Sequence, residues 1–312
     1  MTKTVAVIGA GLVGRAWAMV FARAGWRVRL NDNNDAQLQA ARGFIADSLV
    51  QQASYGLATD PAAALARIEY VANLPDAVAG VDWVQENLPE MVEVKRAIFV
   101  ALDAHAPSEA VLASSTSAIP ASQFTEQLVG RARCLVAHPV NPPHLVPIVE
   151  LCGAPWTSPA TVGRAQAVYT EIGQVPIVVR RELDGFILNR LQGALLSEAM
   201  RLVGEGYVSP EDLDKTIRDG LGLRWAFMGP FATIELNAPG GVVDYSARYS
   251  SFYRRLAADP PKPAVWEAGN AAIVAEALGP ARSPAELQAR TRWRDRRLMA
   301  LVAHMKQQAE FE

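Results

Sequence analysis

Short, nearly continuous apolar runs alternate with longer stretches of helical spacing, such as Glu93–Ala104, in the first half of the chain. Strands with little polar alternation are buried on both faces, as in a parallel sheet covered by helices. The pattern therefore predicts an α/β domain with a mostly parallel sheet. The predicted strands are Val5–Ile8, Val28–Asn31, Ile68–Val71, Trp83–Gln85, Val111–Ala113 and Cys134–Ala137.

The strand pattern fades near residue 184, and apolar residues then recur at helical spacing. Those residues are Phe186, Leu188, Leu191, Leu195, Ala199 and Leu202. A chain of 312 residues is long enough for two domains. We therefore predict a sheet domain over residues 1–184 and an all-helical domain over residues 185–312. Helix starts are predicted where a capping side chain precedes proline, at Asp60-Pro61, Ser158-Pro159, Ser209-Pro210 and Ser283-Pro284.

Composition and charge narrow the classes of function. The net charge is −2, which gives no general attraction to nucleic acid or to an anionic membrane. The basic run Arg290–Arg297 is interpreted as a solvated helix face or an interface rim. The only cysteines are Cys134 and Cys152, too few for a metal centre or a disulfide framework. We expect a cytoplasmic protein that binds no metal, nucleic acid or membrane.

A glycine motif marks a candidate cofactor site. The strand Thr4–Ile8 leads into Gly9-Ala10-Gly11-Leu12-Val13-Gly14, and a helical pattern follows through Ala24. The glycines permit a tight turn and close approach of a pyrophosphate, and the helix N-terminus presents backbone N–H groups to the phosphates. Strand, turn, helix and second strand arrive in the order of a dinucleotide-binding unit, so this domain is predicted to be Rossmann-like.

Asp32 ends the second strand, 18 residues after Gly14. A carboxylate at this point is placed to accept hydrogen bonds from the adenosine ribose, and its charge would repel a 2′-phosphate. Asn33, Asn34 and Asp35 supply no cation to offset that repulsion. The sequence therefore predicts NAD, and not NADP, as the cofactor.

His138 is the candidate base among four histidines. It follows the strand Cys134–Ala137, at the sheet edge where α/β proteins bind ligands, whereas His105 and His304 lie in polar helical stretches. Glu150 follows twelve residues later and could orient the imidazole. From spacing alone, a turn histidine and a surface glutamate remain the alternative.

Several segments resemble the 3-hydroxyacyl-CoA dehydrogenase superfamily and occur in its order. They are Ser114-Ser115-Thr116-Ser117, His138-Pro139-Val140-Asn141-Pro142, Glu150 and Gly185-Phe186-Ile187-Leu188-Asn189-Arg190. Further motifs resemble its lambda-crystallin branch, the L-gulonate 3-dehydrogenases. These are Arg15-Ala16-Trp17-Ala18-Met19, Gly222-Leu223-Arg224-Trp225-Ala226-Phe227 and Trp293-Arg294-Asp295.

The resemblance implies roles for individual residues. His138 matches the general base and Glu150 its orienting partner, while Ser117 and Asn189 match residues that bind the substrate oxygen and hold the histidine. The positions that match contacts to the dinucleotide are Asp32, Glu90, Lys95 and Asn141. Read without the resemblance, Glu90 and Lys95 are a charge at a helix start and a surface cation.

The expected substrate is a small hydroxy acid, oxidised at its 3-hydroxyl, and the family implies a homodimer formed through the helical domain. Arg224 is a candidate anchor for the substrate carboxylate, or a cation at a helix C-terminus. Two alternatives stay open: a 3-hydroxyacyl-CoA or carnitine-type dehydrogenase, and a catalytically idle NAD-binding protein.

A polyanionic CoA carrier is disfavoured by the segment Gly43–Val94, which holds one basic residue, Arg67. Its acidic residues are Asp47, Asp60, Glu69, Asp76, Asp82, Glu86, Glu90 and Glu93.

Overall fold

The computed structural model describes residues 2–308, and it contains one eight-stranded sheet with the order β3-β2-β1-β4-β5-β6-β7-β8. Neighbouring strands are parallel except β6 and β7, which are antiparallel. The six predicted strands are confirmed, and β7 and β8 are additional. The strands are β1 (Thr4–Ile8), β2 (Arg27–Asn31), β3 (Ile68–Val71), β4 (Trp83–Glu86), β5 (Val111–Ser114), β6 (Cys134–Pro139), β7 (Ile148–Gly153) and β8 (Val175–Val179).

The sheet is buried on both faces because successive side chains of its strands enter two different cores. In β1, Val5 and Val7 pack into one core, and Ala6 and Ile8 pack into the other. This arrangement explains why the strands read as continuous apolar runs, and it confirms the predicted mostly parallel sheet covered by helices.

Helices account for most of the remaining chain, and no strand follows β8 among the described residues. The helices are α1 (Leu12–Arg23), α2 (Asp35–Ser54), α3 (Pro61–Ala66), α4 (Leu74–Val78), α5 (Val92–His105), α6 (Ser122–Thr125), α7 (Pro159–Glu171), α8 (Leu188–Gly204), α9 (Pro210–Lys215), α10 (Gly222–Trp225), α11 (Pro230–Glu235), α12 (Gly241–Ala257), α13 (Ala268–Leu278) and α14 (Pro284–Lys306). None of the helices described is long and apolar enough to cross a membrane.

The predicted helix starts are confirmed by their capping hydrogen bonds. The Asp60 carboxylate accepts from the Ala63 amide at the start of α3, and the Ser158 hydroxyl accepts from the Thr161 amide at the start of α7. Ser209 caps α9 in the same way. These side chains satisfy backbone N–H groups that a helix leaves without partners in its first turn.

By contacts, the chain forms two compact units, Met1–Arg190 with Thr291–Glu312 and Leu191–Arg290. The first unit thus contains the sheet, the start of α8 and the second part of α14. The second unit is helical throughout and includes a π-helical turn, Thr216–Leu221, between α9 and α10. Compared with the predicted domains, the contact units assign residues 185–190 and 291–312 to the sheet unit.

Candidate active site

The glycine turn after β1 is too tight for larger residues. Gly9 has a φ of 91°, in the left-handed region, and its amide donates to the Asn31 carbonyl at 2.8 Å. A Cβ atom added to Gly14 would lie 1.7 Å from the Gly9 carbonyl oxygen. The turn therefore brings backbone, without side chains, to the start of α1, as a pyrophosphate requires.

The first turn of α1 is suited to an anion. Gly11, which immediately precedes α1, has no side chain to cap the helix, so the amides that follow remain available to phosphate oxygens. Asp32 lies beside the turn, and its carboxylate accepts from the Ala10 amide at 2.9 Å and from the Asn34 amide at 3.0 Å. These residues fit the phosphates and the adenosine ribose of NAD.

His138 and Glu150 are brought together by the antiparallel pairing of β6 and β7, in which they are direct partners. His138 Nδ1 lies 2.7 Å from Glu150 Oε2, and both side chains are buried, with exposed fractions of 5% and 1%. Directly opposed residues of an antiparallel ladder have adjacent side chains. The alternative of a turn histidine and a surface glutamate is therefore wrong.

The second carboxylate oxygen of Glu150 accepts from the backbone amides of Ile187 at 2.8 Å and Leu188 at 2.9 Å, at the N-terminus of α8. Burial raises the pKa of Glu150, but the hydrogen bonds from His138 and from these two amides outweigh burial. The pKa of Glu150 consequently lies below its ordinary value. An ionised Glu150 fixes the orientation of the imidazole through the hydrogen bond at Nδ1.

Ser117 and Asn189 also meet in the first unit. Asn189 Nδ2 donates to the Ser117 carbonyl at 2.8 Å. The serine loop is held from its other side by Glu90, whose Oε1 accepts from the amides of Ser117 at 3.0 Å and Ala118 at 2.9 Å. Glu90 therefore shapes the loop that carries Ser117.

Lys95 is fully buried, so its interpretation as a surface cation is wrong. Its ammonium group lies 3.0 Å from both carboxylate oxygens of Glu86 and donates to the Leu88 carbonyl at 3.2 Å. Glu90 Oε2 lies farther away, at 4.0 Å. Lys95 thus compensates the buried charge of Glu86, and its contact with the dinucleotide stays a prediction.

Two predicted residues are exposed and take part in none of the hydrogen bonds described above. Asn141 is exposed in the loop after β6, and its peptide bond to Pro142 is cis. Arg224 is exposed on α10, in the second contact unit. The glycine-bearing segment around Arg224 is helical.

Two features of the site were not predicted from the sequence. The Phe186 ring lies 5.7 Å from the His138 ring, and Phe186 has a φ of 45°, which directs the following amides toward Glu150. Ser115 accepts from Trp17 Nε1 at 3.0 Å and donates to Asn87 Oδ1 at 2.7 Å, which links the serine loop to α1. Gly185 was the only local signal for the first feature, and none existed for the second.

Comparison with known proteins places this geometry in a family. The NAD binding domain of 3-hydroxyacyl-CoA dehydrogenase matches residues 4–183, and the C-terminal domain of that enzyme matches residues 185–271. Lambda-crystallin from Oryctolagus cuniculus is 43% identical, over 98% of this chain and 97% of the relative. L-carnitine dehydrogenase from a Pseudomonas species is 35% identical, over 96% of this chain and 93% of the relative.

Among solved structures, 5-formyl-3-hydroxy-2-methylpyridine 4-carboxylic acid 5-dehydrogenase, an NAD+ dependent dismutase, has a similar fold. Its TM-score is 0.86 at 29% identity, covering 99% of this chain and 100% of that one.

Proposed function

This chain belongs to the 3-hydroxyacyl-CoA dehydrogenase family, and we propose that it oxidises the 3-hydroxyl of a small free hydroxy acid, as L-gulonate 3-dehydrogenase does. The family is one of NAD-dependent dehydrogenases, so NAD is the cofactor. The observation that carries the proposal is the buried hydrogen bond between His138 and Glu150.

In this proposal His138 is the general base. NAD, when bound, accepts the hydride. Because Nδ1 of His138 is engaged by Glu150, Nε2 is the nitrogen that takes the hydroxyl proton. The Glu150 carboxylate then stabilises the imidazolium. Ser117 donates a hydrogen bond to the substrate oxygen, and Asn189 holds the serine loop in register.

A free acid is favoured over a CoA thioester by the charge of the segment Gly43–Val94. CoA carries three phosphate groups, and a site for them needs cations. The one cation of this segment, Arg67, donates to the Ala22 carbonyl. Two of the eight acidic residues are offset by cations from outside the segment: Glu86 by Lys95 and Glu69 by Arg29. The remaining excess of negative charge supports a substrate without phosphates.

The relatives support the same choice. The chain shares 43% identity with lambda-crystallin, and a dehydrogenase of similar fold is named for a carboxylic acid substrate. The family name favours a 3-hydroxyacyl-CoA as the second candidate, and the 35% identical L-carnitine dehydrogenase favours a carnitine-type substrate as another. We further propose a cytoplasmic homodimer formed through the helical half.

The test is a panel of L-gulonate, free 3-hydroxybutyrate, L-carnitine and 3-hydroxybutyryl-CoA, with NADH formation followed by absorbance. We expect the highest kcat/KM for a free acid. The variant His138→Asn should reduce kcat by about 10²–10⁴-fold and leave NADH binding unchanged. A clear preference for the thioester would transfer the proposal to the acyl-CoA reaction. Binding of NAD without turnover of any substrate would indicate an idle protein.

A further inference from the structure

Two sequence motifs that are about 280 residues apart meet on the first contact unit. Arg15 lies in the first motif, on α1, and its guanidinium carbon lies 3.7 Å from the centre of the Phe44 ring on α2. His144, in the loop after β6, packs edge-on against the same ring, with ring centres 6.5 Å apart. Arg294 and Asp295, from the second motif, contribute charge to this group. We call Arg15, Phe44, His144 and Arg294 the Phe44 cluster.

Positive charge exceeds negative charge around the Phe44 cluster. Asp295 pairs with Arg294 at 2.7 Å and also raises the pKa of Arg15, although burial lowers that pKa more. Arg23, nearby on α1, donates only to neutral groups, the Gln52 side chain and a backbone carbonyl. Burial lowers the pKa of Arg23 to about 10, so it stays charged at neutral pH. Three arginines thus face one aspartate.

His144 is buried and neutral. It is 6% exposed, and burial together with the charges of Arg23, Arg15 and Arg294 lowers its pKa to about 3. Its Nδ1 atom and the Nε atom of Arg15 are both buried without a hydrogen-bond partner among residues 2–308. Buried polar atoms are nearly always satisfied in proteins, so two such atoms beside one aromatic ring point to a polar ligand.

Two residues of the Phe44 cluster belong to segments that carry the proposed cofactor site and the proposed base. Arg15 lies in the first turn of α1, and its amide donates to the carbonyl of Gly11 in the glycine turn. His144 follows His138 by six residues, in the loop that leaves the catalytic strand. Arg15 thus belongs to the segment that binds the cofactor, and its neighbour across the Phe44 ring, His144, belongs to the loop that follows the base.

We propose that Arg15 binds the carboxylate of the substrate, with the neutral His144 imidazole as a second hydrogen-bond donor. This assignment rests on the proposed function, which makes the substrate a free acid. A guanidinium fits a carboxylate with two parallel hydrogen bonds, and stacking on Phe44 fixes its plane before the substrate arrives.

The experiment compares Arg15→Gln and Arg15→Lys with a matched control, Arg42→Gln. Arg42 also stacks its guanidinium on an aromatic ring, 4.4 Å from the centre of Tyr70. Kinetics are measured with free 3-hydroxybutyrate and with its uncharged methyl ester. Arg15→Gln should raise KM for the acid by roughly 10- to 100-fold. It should leave KM for the ester and for NAD unchanged, Arg15→Lys should be intermediate, and Arg42→Gln should match the wild type.

Equal losses for the acid and the ester would overturn the assignment, and so would a loss confined to NAD, which would identify the pyrophosphate as the anion. A loss for the acid in Arg224→Gln, with none in Arg15→Gln, would also overturn it. Calorimetric binding of malonate to the NADH complex separates this proposal from the proposed function. If the wild type oxidises no hydroxy acid but Arg15→Gln alone abolishes malonate binding, the anion site stands and the proposed function fails.

Discussion

Replacing Lys95 with methionine removes the counter-charge of a buried carboxylate while keeping a side chain of similar length. Glu86 then retains the hydrogen bonds from the Ser114 hydroxyl at 2.5 Å and from the Leu88 amide at 2.6 Å, but no cation. Breaking a buried ion pair from one side costs about 3–5 kcal/mol. At about 2–4 °C per kcal/mol for domains of this size, Tm should fall by roughly 6–20 °C.

The assay is thermal unfolding with and without NADH, repeated for two control variants. The double variant Glu86→Gln with Lys95→Met removes both charges and should recover most of the lost stability. Lys3→Met breaks the exposed pair with Glu171, whose side chains are 44% and 45% exposed, and it should cost at most about 1 kcal/mol.

The affinity of Lys95→Met for NADH shows whether Lys95 acts through Glu86 or through the dinucleotide. If Lys95 acts chiefly on Glu86, NADH should still bind to folded Lys95→Met with an affinity within about tenfold of the wild type. An unchanged Tm combined with a large loss of NADH affinity would refute this reasoning, because Lys95 would then act through the dinucleotide alone.

The remaining predictions concern the site and its supports. Glu150→Gln should lower kcat by less than the loss in His138→Asn, because it weakens the orientation of the base without removing it; equal losses would contradict this role. Because folding lowers the pKa of Glu150, the wild type should lose stability as pH falls through that lowered pKa. Glu150→Gln should abolish this pH-dependent part of the stability. Gly14→Ala should abolish NADH binding, measured by fluorescence, since its Cβ has no space. Ser115→Ala should weaken NADH binding more than Tyr169→Phe, which removes one hydrogen bond at the far end of the same network; the reverse order would show that Ser115 has only a packing role.

Much of the fold follows from local patterns. Most strands from Val5 to Ala137 are nearly continuous apolar runs because both faces of the central sheet are buried, and that signal needs no tertiary information. Strand β8 was not predicted because the run Val175–Val179 is short and only partly buried, and because it contains Pro176. The direction of β7 depends on the hairpin after His138, which apolar periodicity does not encode.

In the site too, residues in contiguous motifs could be predicted, and residues that depend on distant segments could not. The glycine turn could be predicted because its motif is contiguous. The His138–Glu150 pair was only weakly predicted, because the two residues are twelve positions apart and no local pattern links them. The burial of Lys95 could not be predicted, since a lysine on a helix is ordinarily solvated and only the position of Glu86 on β4 reverses that expectation. The His138–Glu150 contact and the burial of Lys95 both depend on packing between segments that are distant in the sequence.

The amides of Ile187 and Leu188 have a consequence for building chimaeric enzymes. They belong to the first turn of α8 or immediately precede it, yet they hold the carboxylate of Glu150, which pairs with the proposed base His138. Exchanging the helical half at residue 184 would therefore also replace the two amide donors of Glu150. A junction after Arg190 keeps these donors with their own acceptor, so libraries of grafted helical halves should be joined there.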